Sequence, residues 1–586
     1  MESARPATAT VRFGLFEVDL RSGELRKQGV KVKLQDRPFR TLQILLEHTG
    51  EVVTREELRQ RLWPADTFVD FEHGLNTAVK KLRAALGDSA DSPRFIETLS
   101  KRGYRFIGPV EELENRERTP ARPAAAVTVD SIVVLPFTSM SADPEDEFFA
   151  DGITEEIINA LTQIEQLHVV ARTSAFSFKG KYIDVRAVGK QLNVRTVLLG
   201  SVRRADHRLR ITVQLVNAED AYHLWSQRYD RELKDIFEIQ DEIARSIAER
   251  LKVTLEGSKQ EPLVRVGTRN LEAYKLYAKG RVLLPRRGPA VVYMDCFERA
   301  VQLDPNYAQA WAGLADSYTV LGYTGLARPD ASMPKAIDAA RRAVALDRLS
   351  AEAHNALAMA SLMGAWDKVE AEREFLRALE LNPRYIQARD WYAMYYLLFS
   401  EGRPAEAMAE AKRALLSDPV SSYAHWMYGF ICGCAGEHAH ALQAARHAVE
   451  LDSASYLARF ALQEVQRLSG KFEESIATGE LALAISGRHW WSMVSLALTF
   501  ADRNQPADAD AVYAEMLARA RRQYVPLAPL AVVAAAAARK DEALRHACEA
   551  FAIRDPNCQY VLSRYYPGSA RLRADPRFQG IPADAE

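Results

Sequence analysis

The spacing of apolar residues changes several times along the chain, and each change marks a different architecture. Over residues 11–34 apolar and polar positions alternate. Phe16, Val18 and Leu20 share one face, and turn signals at Arg21-Ser22-Gly23 and Gln28-Gly29 bracket "ELRK", which predicts a small β-sheet. Helical spacing follows at 38–48 and 54–63. The second helix opens on Thr54-Arg55-Glu56-Glu57, a capping box in which Thr54 and Glu57 satisfy orphan amides reciprocally. It closes at Trp63-Pro64. In "EHGLNTAVKKLRAALGD" (72–88), Leu75, Val79, Leu82 and Leu86 build one apolar stripe. Asn76, Thr77, Lys80, Lys81 and Arg83 occupy the opposite face, so the segment is an amphipathic helix stopped by Gly87. "RFIETLSKRGYRFIG" then alternates as a hairpin around Ser100-Lys101-Arg102-Gly103.

Residues 111–130, "EELENRERTPARPAAAVTVD", have no apolar period and read as a linker. Mixed α/β text follows, with strands expected at 131–137, 168–172, 196–205, 208–217 and 222–229. Helices are expected at 145–161, 184–192 and 236–251. From about 270 the pattern is helical and repeats. Leu303-Asp304-Pro305, Leu346-Asp347-Arg348, Leu381-Asn382-Pro383, Ser417-Asp418-Pro419 and Leu451-Asp452-Ser453 are recurring helix-end signals. Their third residues fall 43, 35, 36 and 34 positions apart. The longest interval is a 34-residue unit with about nine extra residues, placed in "GYTGLARPDASMPKAI". Trp311, Leu314, Ala315 and Tyr318 fit the tetratricopeptide (TPR) pattern, as do His354-Leu357-Ala358 and Ala424-Tyr428-Gly429 later. Stacked units of this kind form a right-handed solenoid with a concave surface suited to a protein or peptide partner.

A sheet, three helices and a hairpin in that order describe a winged helix-turn-helix with an extra N-terminal sheet. "REELRQRLWP", "NTAVKKLRAALGD" and "RFIETLSKRGYRFIG" resemble the OmpR/PhoB-type winged-helix family of bacterial transcription regulators over residues 11–108. The resemblance implies double-stranded DNA as partner and a transcriptional role. Lys80, Lys81 and Arg83 stand where that family carries the basic residues of its recognition helix. Asn76 and Thr77 lie one turn earlier, within reach of bases or phosphates. Ser100, Lys101 and Arg102 cap the wing, placed for the adjacent groove or its phosphates. Family wings commonly carry Gly-x-Gly; this one has Lys101-Arg102-Gly103. Family members usually carry a receiver domain upstream, whereas this sequence opens on the winged helix, so regulation is expected through the other two regions. "SIVVLPF", "EDEFFADGITEEIINAL" and "LLGSVRRADHRLRITVQLVNAED" resemble the TolB N-terminal-like α/β domain, which implies no catalytic activity.

The fold class expected is therefore multidomain, α+β and all-α. A winged helix-turn-helix with N-terminal β-sheet spans 8–110, a linker 111–130, an α/β middle domain 131–255 and a TPR-type α-solenoid 268–586. With 48% hydrophobic and 26% charged residues and a net charge of -1, composition places any DNA site in a local patch. Five scattered cysteines read as reduced thiols of a cytoplasmic protein. No signal peptide or membrane-length apolar run is present, and the 111–130 linker is too polar to span a bilayer.

The chemistry-bearing residues point away from catalysis. Asp151, Glu155 and Glu156 form a carboxylate cluster read as helix-start acids favoured by the dipole. No phosphate-binding loop, HExxH or GxSxG occurs, and Cys432-Gly-Cys434 lacks a second knuckle for zinc. His438 aligns with Phe472 and Trp366 and is expected to pack rather than to bind metal. The reading is a non-enzymatic regulator without metal or cofactor, located in the cytoplasm and on the nucleoid when bound to DNA. It self-associates on repeated half-sites. Its rivals are a protein-interaction scaffold whose winged helix has lost DNA binding, and a small-ligand sensor in the middle domain.

Overall fold

The computed structural model describes residues 10–581 except 14–15, 20–23, 28–29, 33, 35, 63–70, 87, 90–92, 94, 100–101, 109, 113–129, 142, 163, 165, 182, 206–207, 233–234, 252–266 and 285–289. The chain divides into two compact units, Met1–Val127 and Thr128–Glu586.

The first unit runs β1 (Thr10–Phe13), β2 (Phe16–Asp19), β3 (Glu24–Lys27), β4 (Val30–Val32), α1 (Asp36–Glu47), β5 (Val52–Thr54), α2 (Arg55–Leu62), α3 (Phe71–Leu86), β6 (Ile96–Leu99), β7 (Gly103–Phe106) and β8 (Glu111–Glu112). The N-terminal strands form a meander of order β4-β3-β2-β1-β8, and a second sheet has order β5-β7-β6. Alternation works as expected. Val18 pairs with Val11 on one side and Leu25 on the other, and all three are buried. Phe13 sets its ring edge-on against Phe106 at 4.9 Å and Phe95 at 5.3 Å, which fastens the meander to the hairpin. Strand β5 is too short for alternation to reveal, and it takes Thr54 from the expected helix. Half of the capping box is present, with Glu57 N–H donating to Thr54 Oγ1 at 3.2 Å. Trp63-Pro64 lies outside the described residues, as do residues 113–129 of the linker.

The second unit begins with β9 (Asp130–Val134), β10 (Thr138–Ser139), α4 (Pro144–Thr162), β11 (Leu167–Val169), α5 (Arg172–Phe176), α6 (Val185–Leu192), β12 (Thr196–Ala205), β13 (Arg208–Asn217), β14 (His223–Glu232) and α7 (Ile236–Arg250). The sheet order is β11-β9-β12-β13-β14, with β10 also on β12. β11, β9 and β12 run parallel, while β13 and β14 are antiparallel. Ile132, Val133 and Val134 are fully buried, as a strand covered on both faces requires.

Eight helical pairs follow among the described residues. Their first helices are Leu271–Leu283, Ala308–Thr324, Ala351–Ala360, Ile386–Trp391, Ser422–Cys434, Tyr456–Leu468, Trp490–Asp502 and Leu527–Ala536. The third and fourth continue as π-helical turns, Ser361–Ala365 and Tyr392–Ser400. The repeat signals have a local cause. Asp304, Asp347, Asn382 and Asp452 each accept the backbone N–H two residues on, at 2.9–3.1 Å. Ser350, Ser421 and Ser455 cap the helices that follow, as N-cap serines do. The extra residues of the long unit extend both its helices, to 17 residues in Ala308–Thr324 and 18 in Pro329–Leu346.

The α/β domain packs directly on the repeats. Asp418 occupies the recurring turn position, yet its carboxylate accepts the Ser174 N–H at 3.0 Å and the hydroxyls of Thr173 and Ser174. Val420 N–H donates to Ser174 Oγ at 3.3 Å. Here the repeat's own turn bond is given over to α5.

The carboxylate cluster of α4 has a different basis from the one expected. Asp151, Glu155 and Glu156 lie beyond the first helical turn, where the dipole acts. Ion pairs hold two of them instead: Lys179 with Asp151 at 2.5 Å, and Arg172 and Arg281 with Glu155 at 2.9 and 3.0 Å. Burial would raise the Glu155 carboxyl, but the two guanidiniums outweigh it and hold it below its ordinary value. His438 also departs from expectation: it is exposed at the start of His438–Leu451.

Candidate nucleic-acid interface

The expected stripe of α3 is its buried face. Leu75, Val79, Leu82 and Leu86 are all buried, joined by Ala78. That orientation turns Asn76, Lys80 and Lys81 into solvent, with Thr77 and Arg83 at the margin, half-buried. Lys80 and Lys81 therefore present the cationic end of a helix face whose apolar side is fixed in the core.

Two of the candidate residues do something that spacing does not show. Asn76 Oδ1 accepts the Tyr104 hydroxyl at 2.9 Å and Arg55 Nη1 at 3.3 Å, and Arg55 Nη2 reaches the Tyr104 hydroxyl at 3.3 Å. The side chain thus ties α3 to the start of α2 and to β7. Arg83 Nη2 donates to the Ile96 carbonyl at 2.6 Å and to Thr98 Oγ1 at 2.8 Å, so its guanidinium is anchored to the root of the hairpin. Tyr104 and Arg55 are the partners of Asn76 that spacing misses. Their signal is faint, an aromatic in a strand and a basic residue at a helix start.

The hairpin turn is closed by Arg102 N–H donating to the Leu99 carbonyl at 3.0 Å, and the Arg102 side chain is exposed. A Cβ on Gly103 would overlap the Val53 carbonyl, so β7 crosses β5 only with glycine there. Arg105 pairs with Glu97 across the strands at 2.6 Å, which cancels its charge. Ser100 and Lys101 lie outside the described residues. Lys80, Lys81 and Arg102 are then the described exposed cations of helix and turn, an arrangement suited to phosphate oxygens on a duplex.

The inner face of the solenoid, where a partner was expected, is largely filled by the chain's own C-terminal segment. Tyr560 hydroxyl accepts Trp491 Nε1 at 2.8 Å, Tyr566 hydroxyl donates to Glu464 Oε1 at 3.1 Å, and Ser563 Oγ donates to the Phe399 carbonyl at 2.6 Å. Tyr560 also meets Tyr395 edge-on at 5.9 Å. Trp490 Nε1 reaches the Thr324 carbonyl at 2.9 Å, linking the seventh repeat to the second. The segment brings Tyr560, Val561, Leu562 and Tyr566 into burial, and their apolar area accounts for its placement.

Cys432 is buried and Cys434 partly so. Burial pushes the Cys432 thiol up to about 11 and Cys434 well above its ordinary value, the opposite of what a metal-binding or nucleophilic thiolate needs. No helix among the described residues is long and apolar enough to cross a membrane.

Comparisons with known proteins bear on each segment. The family "Transcriptional regulatory protein, C terminal" matches residues 29–106, and "HilA/YgeH-like transcriptional regulator, second domain" matches residues 128–246. A putative adenylate cyclase 3 of Rhizobium meliloti is 37% identical over 290 residues, 48% of this chain and 47% of that protein. The transcriptional regulator HilA of Salmonella typhimurium is 24% identical over 411 residues, 69% of each chain. The chain thus spans about half the length of the first relative and about two thirds of the second. Among solved structures, the Klebsiella pneumoniae RstA DNA-binding domain in complex with RstA box is 28% identical. It covers 17% of this chain and 96% of its own, with a TM-score of 0.16.

Proposed function

We propose that this chain, which joins an OmpR/PhoB-type winged-helix domain to the second domain of a HilA-like transcriptional regulator and a TPR-type solenoid, regulates transcription by binding specific DNA sequences. α3 enters the major groove, where Lys80 and Lys81 take phosphates or guanine edges and Thr77 lies at the margin. Lysine is the weaker bidentate donor, so anchoring outweighs base reading at these two positions. The turn 100–103, with Ser100, Lys101 and Arg102, follows the backbone or the adjacent groove. Asn76 and Arg83 hold helix and hairpin in one geometry. The observation that carries the reading is that Lys80 and Lys81 are exposed on a helix whose opposite stripe is locked into the core, with Arg102 exposed on the hairpin turn.

Residues 8–112 act as the DNA-reading module, since β8 (Glu111–Glu112) pairs with β1, and the stretch from there to β9 acts as its tether, within the linker expected at 111–130. The α/β domain 131–255 and the solenoid 268–586 act as the regulatory part, through a protein partner. The C-terminal segment occupies much of the inner face, so that partner meets the outer surface or the open ends of the repeats. The chain is not an enzyme in this reading, works in the cytoplasm on the nucleoid, and self-associates on adjacent half-sites.

The test is a gel-shift titration of Lys80→Ala/Lys81→Ala against wild type across salt concentrations. Loss of promoter binding with an unchanged unfolding temperature is expected. The slope of log affinity against log salt should fall by about 0.9 for each phosphate contact removed. Unchanged affinity would overturn the reading and favour a protein-interaction scaffold.

A further inference from the structure

The second helix of the sixth repeat, Phe472–Ser486, is apolar on two opposite faces. Ser475, Gly479, Ala482 and Leu483 are buried, on the side that packs against Tyr456–Leu468 and Trp490–Asp502. Ala477, Leu481, Ala484 and Ile485 are exposed, with Leu481 at 55% and Ile485 at 46%. Glu480 borders this second stripe on one side. A helix with apolar residues on both faces is normally enclosed, whereas this one shows its second stripe to solvent.

The other repeats show that the fold does not ask for leucine there. The tenth residue of the second helix is Arg299, Arg377, Arg413, His447, Glu515 and Glu549 in repeats one, three, four, five, seven and eight. In the sixth it is Leu481. The helix of the second repeat is longer and has Arg342 four residues before its end, as the first has Arg299. Exposed apolar residues elsewhere are interrupted by charge, as Val369 and Leu376 are by Arg373, and scattered ones need no explanation.

The stripe is complementary to itself. Ile485 lies four residues beyond Leu481 and Ala477 four before it. An antiparallel copy centred on Leu481 therefore sets each Ile485 against the small Ala477 of the other chain. Seven residues out, Arg488 stands just past the helix end and Glu474 in the first turn, so each basic end meets an acidic one. Arg488 and Glu474 also have partners on their own chain, Glu515 at 2.5 Å and Lys471 at 3.0 Å. The ends thus contribute orientation more than affinity. Positions 474, 477, 481, 485 and 488 keep the three-and-four spacing of a helix seam. A two-fold interface must pair residue i with j and j with i, and this stripe meets that condition alone. Its self-complementarity selects a second copy of the chain as the occupant.

We propose that the chain dimerises through Phe472–Ser486, packed antiparallel against its copy about a two-fold axis at Leu481. The dimer carries two winged helices, as adjacent half-sites require, and that role rests on the DNA-binding reading above.

Sedimentation velocity of the full chain without DNA, from about 1 to 100 µM, covers the range in which a small interface associates. A reversible shift from monomer to dimer is expected for wild type. Leu481→Glu places in the seam the residue that the seventh and eighth repeats already carry there. It should keep the wild-type unfolding temperature and dimerise about tenfold or more weakly. Under oxidation Leu481→Cys should cross-link to its copy beyond the wild-type background, while Glu515→Cys, one helix away, should not. A wild-type chain that stays monomeric, an unchanged dimer in Leu481→Glu, or no added cross-link in Leu481→Cys would overturn the proposal and leave the stripe to a different protein. A gel shift of wild type on a single half-site separates the two readings. Its absence with dimerisation intact counts against DNA binding and leaves the interface standing.

Discussion

Tyr104 donates its hydroxyl hydrogen to Asn76 Oδ1 at 2.9 Å, joining the second wing strand to the helix that carries Lys80 and Lys81. Arg55 closes the triangle, donating to both partners at 3.3 Å with its guanidinium carbon 5.2 Å from the Tyr104 ring centroid. Three elements distant in sequence are thus fixed to one another at the face that would meet a duplex. Rigid placement of helix and wing means that little ordering remains to be done when DNA binds, which favours affinity without adding a contact.

Tyr104→Phe tests that coupling. The ring stays packed and both hydrogen bonds of the hydroxyl are lost, to Asn76 and from Arg55, so stability should fall by about 1–3 kcal/mol. DNA affinity should fall by about threefold to tenfold with the salt slope unchanged, because no phosphate contact goes. Anisotropy titrations at three salt concentrations separate the outcomes. A shallower slope would show that Tyr104 or Arg55 touches the backbone directly.

Arg83 is expected to behave unlike the two lysines beside it. Its Nη2 serves the Ile96 carbonyl and Thr98 Oγ1. Arg83→Ala should therefore cost about 1.5–3 kcal/mol of stability, the range for bonds to a charged donor. Where the variant is still folded, its salt slope should match wild type. Denaturant unfolding and binding on the same preparations decide it. A lost slope unit at unchanged stability would return Arg83 to the DNA-contacting set.

This contrast shows what the sequence makes legible. The period of α3 identifies its buried stripe, and hence Lys80 and Lys81, because a helix face is a local property. The anchoring of Arg83 depends on a carbonyl 13 residues away across a turn, and no spacing rule reports that. The same holds for Asp418. Its repeat places it at a turn, but its partner Ser174 is 244 residues distant. The C-terminal segment, "NCQYVLSRYYPGS", has no period, so its place inside the solenoid follows only from the aromatic surface it finds there. His438 aligns with bulky residues of other repeats yet is exposed, since the alignment fixes its position and not what covers it.

Glu156 gives a pH-dependent prediction. It is partly buried, and burial, with the charges of Glu155 and Glu352, raises its carboxyl from 4.5 to about 8 against the pull of Arg281. The folded state therefore holds a proton that the unfolded chain releases. The stabilisation is complete below pH 4.5 and is lost as pH rises toward about 8. Glu156→Gln keeps the neutral form at every pH. Its unfolding temperature should match wild type near pH 4.5 and exceed it increasingly up to pH 8. A constant difference across that window would mean that Glu156 titrates normally.

Asp418 and Asp452 make a matched pair for testing whether the α/β domain is held by the repeats. Both stand at the recurring turn, but Asp452 is exposed and caps only its own loop through the Ala454 N–H at 3.0 Å. Asp418 is buried and receives the Ser174 N–H and two hydroxyls from α5. Asp418→Ala strands those donors in the junction and should cost about 2–4 kcal/mol, at roughly 1–3 for each unsatisfied group, with partial relaxation. Asp452→Ala should cost under about 1 kcal/mol, since water replaces the lost acceptor. Amide exchange should also quicken at Ser174 and Val420 in the first variant and stay unchanged there in the second. Equal losses in the two variants would mean that the turn itself, and not the grip on α5, is what Asp418 contributes.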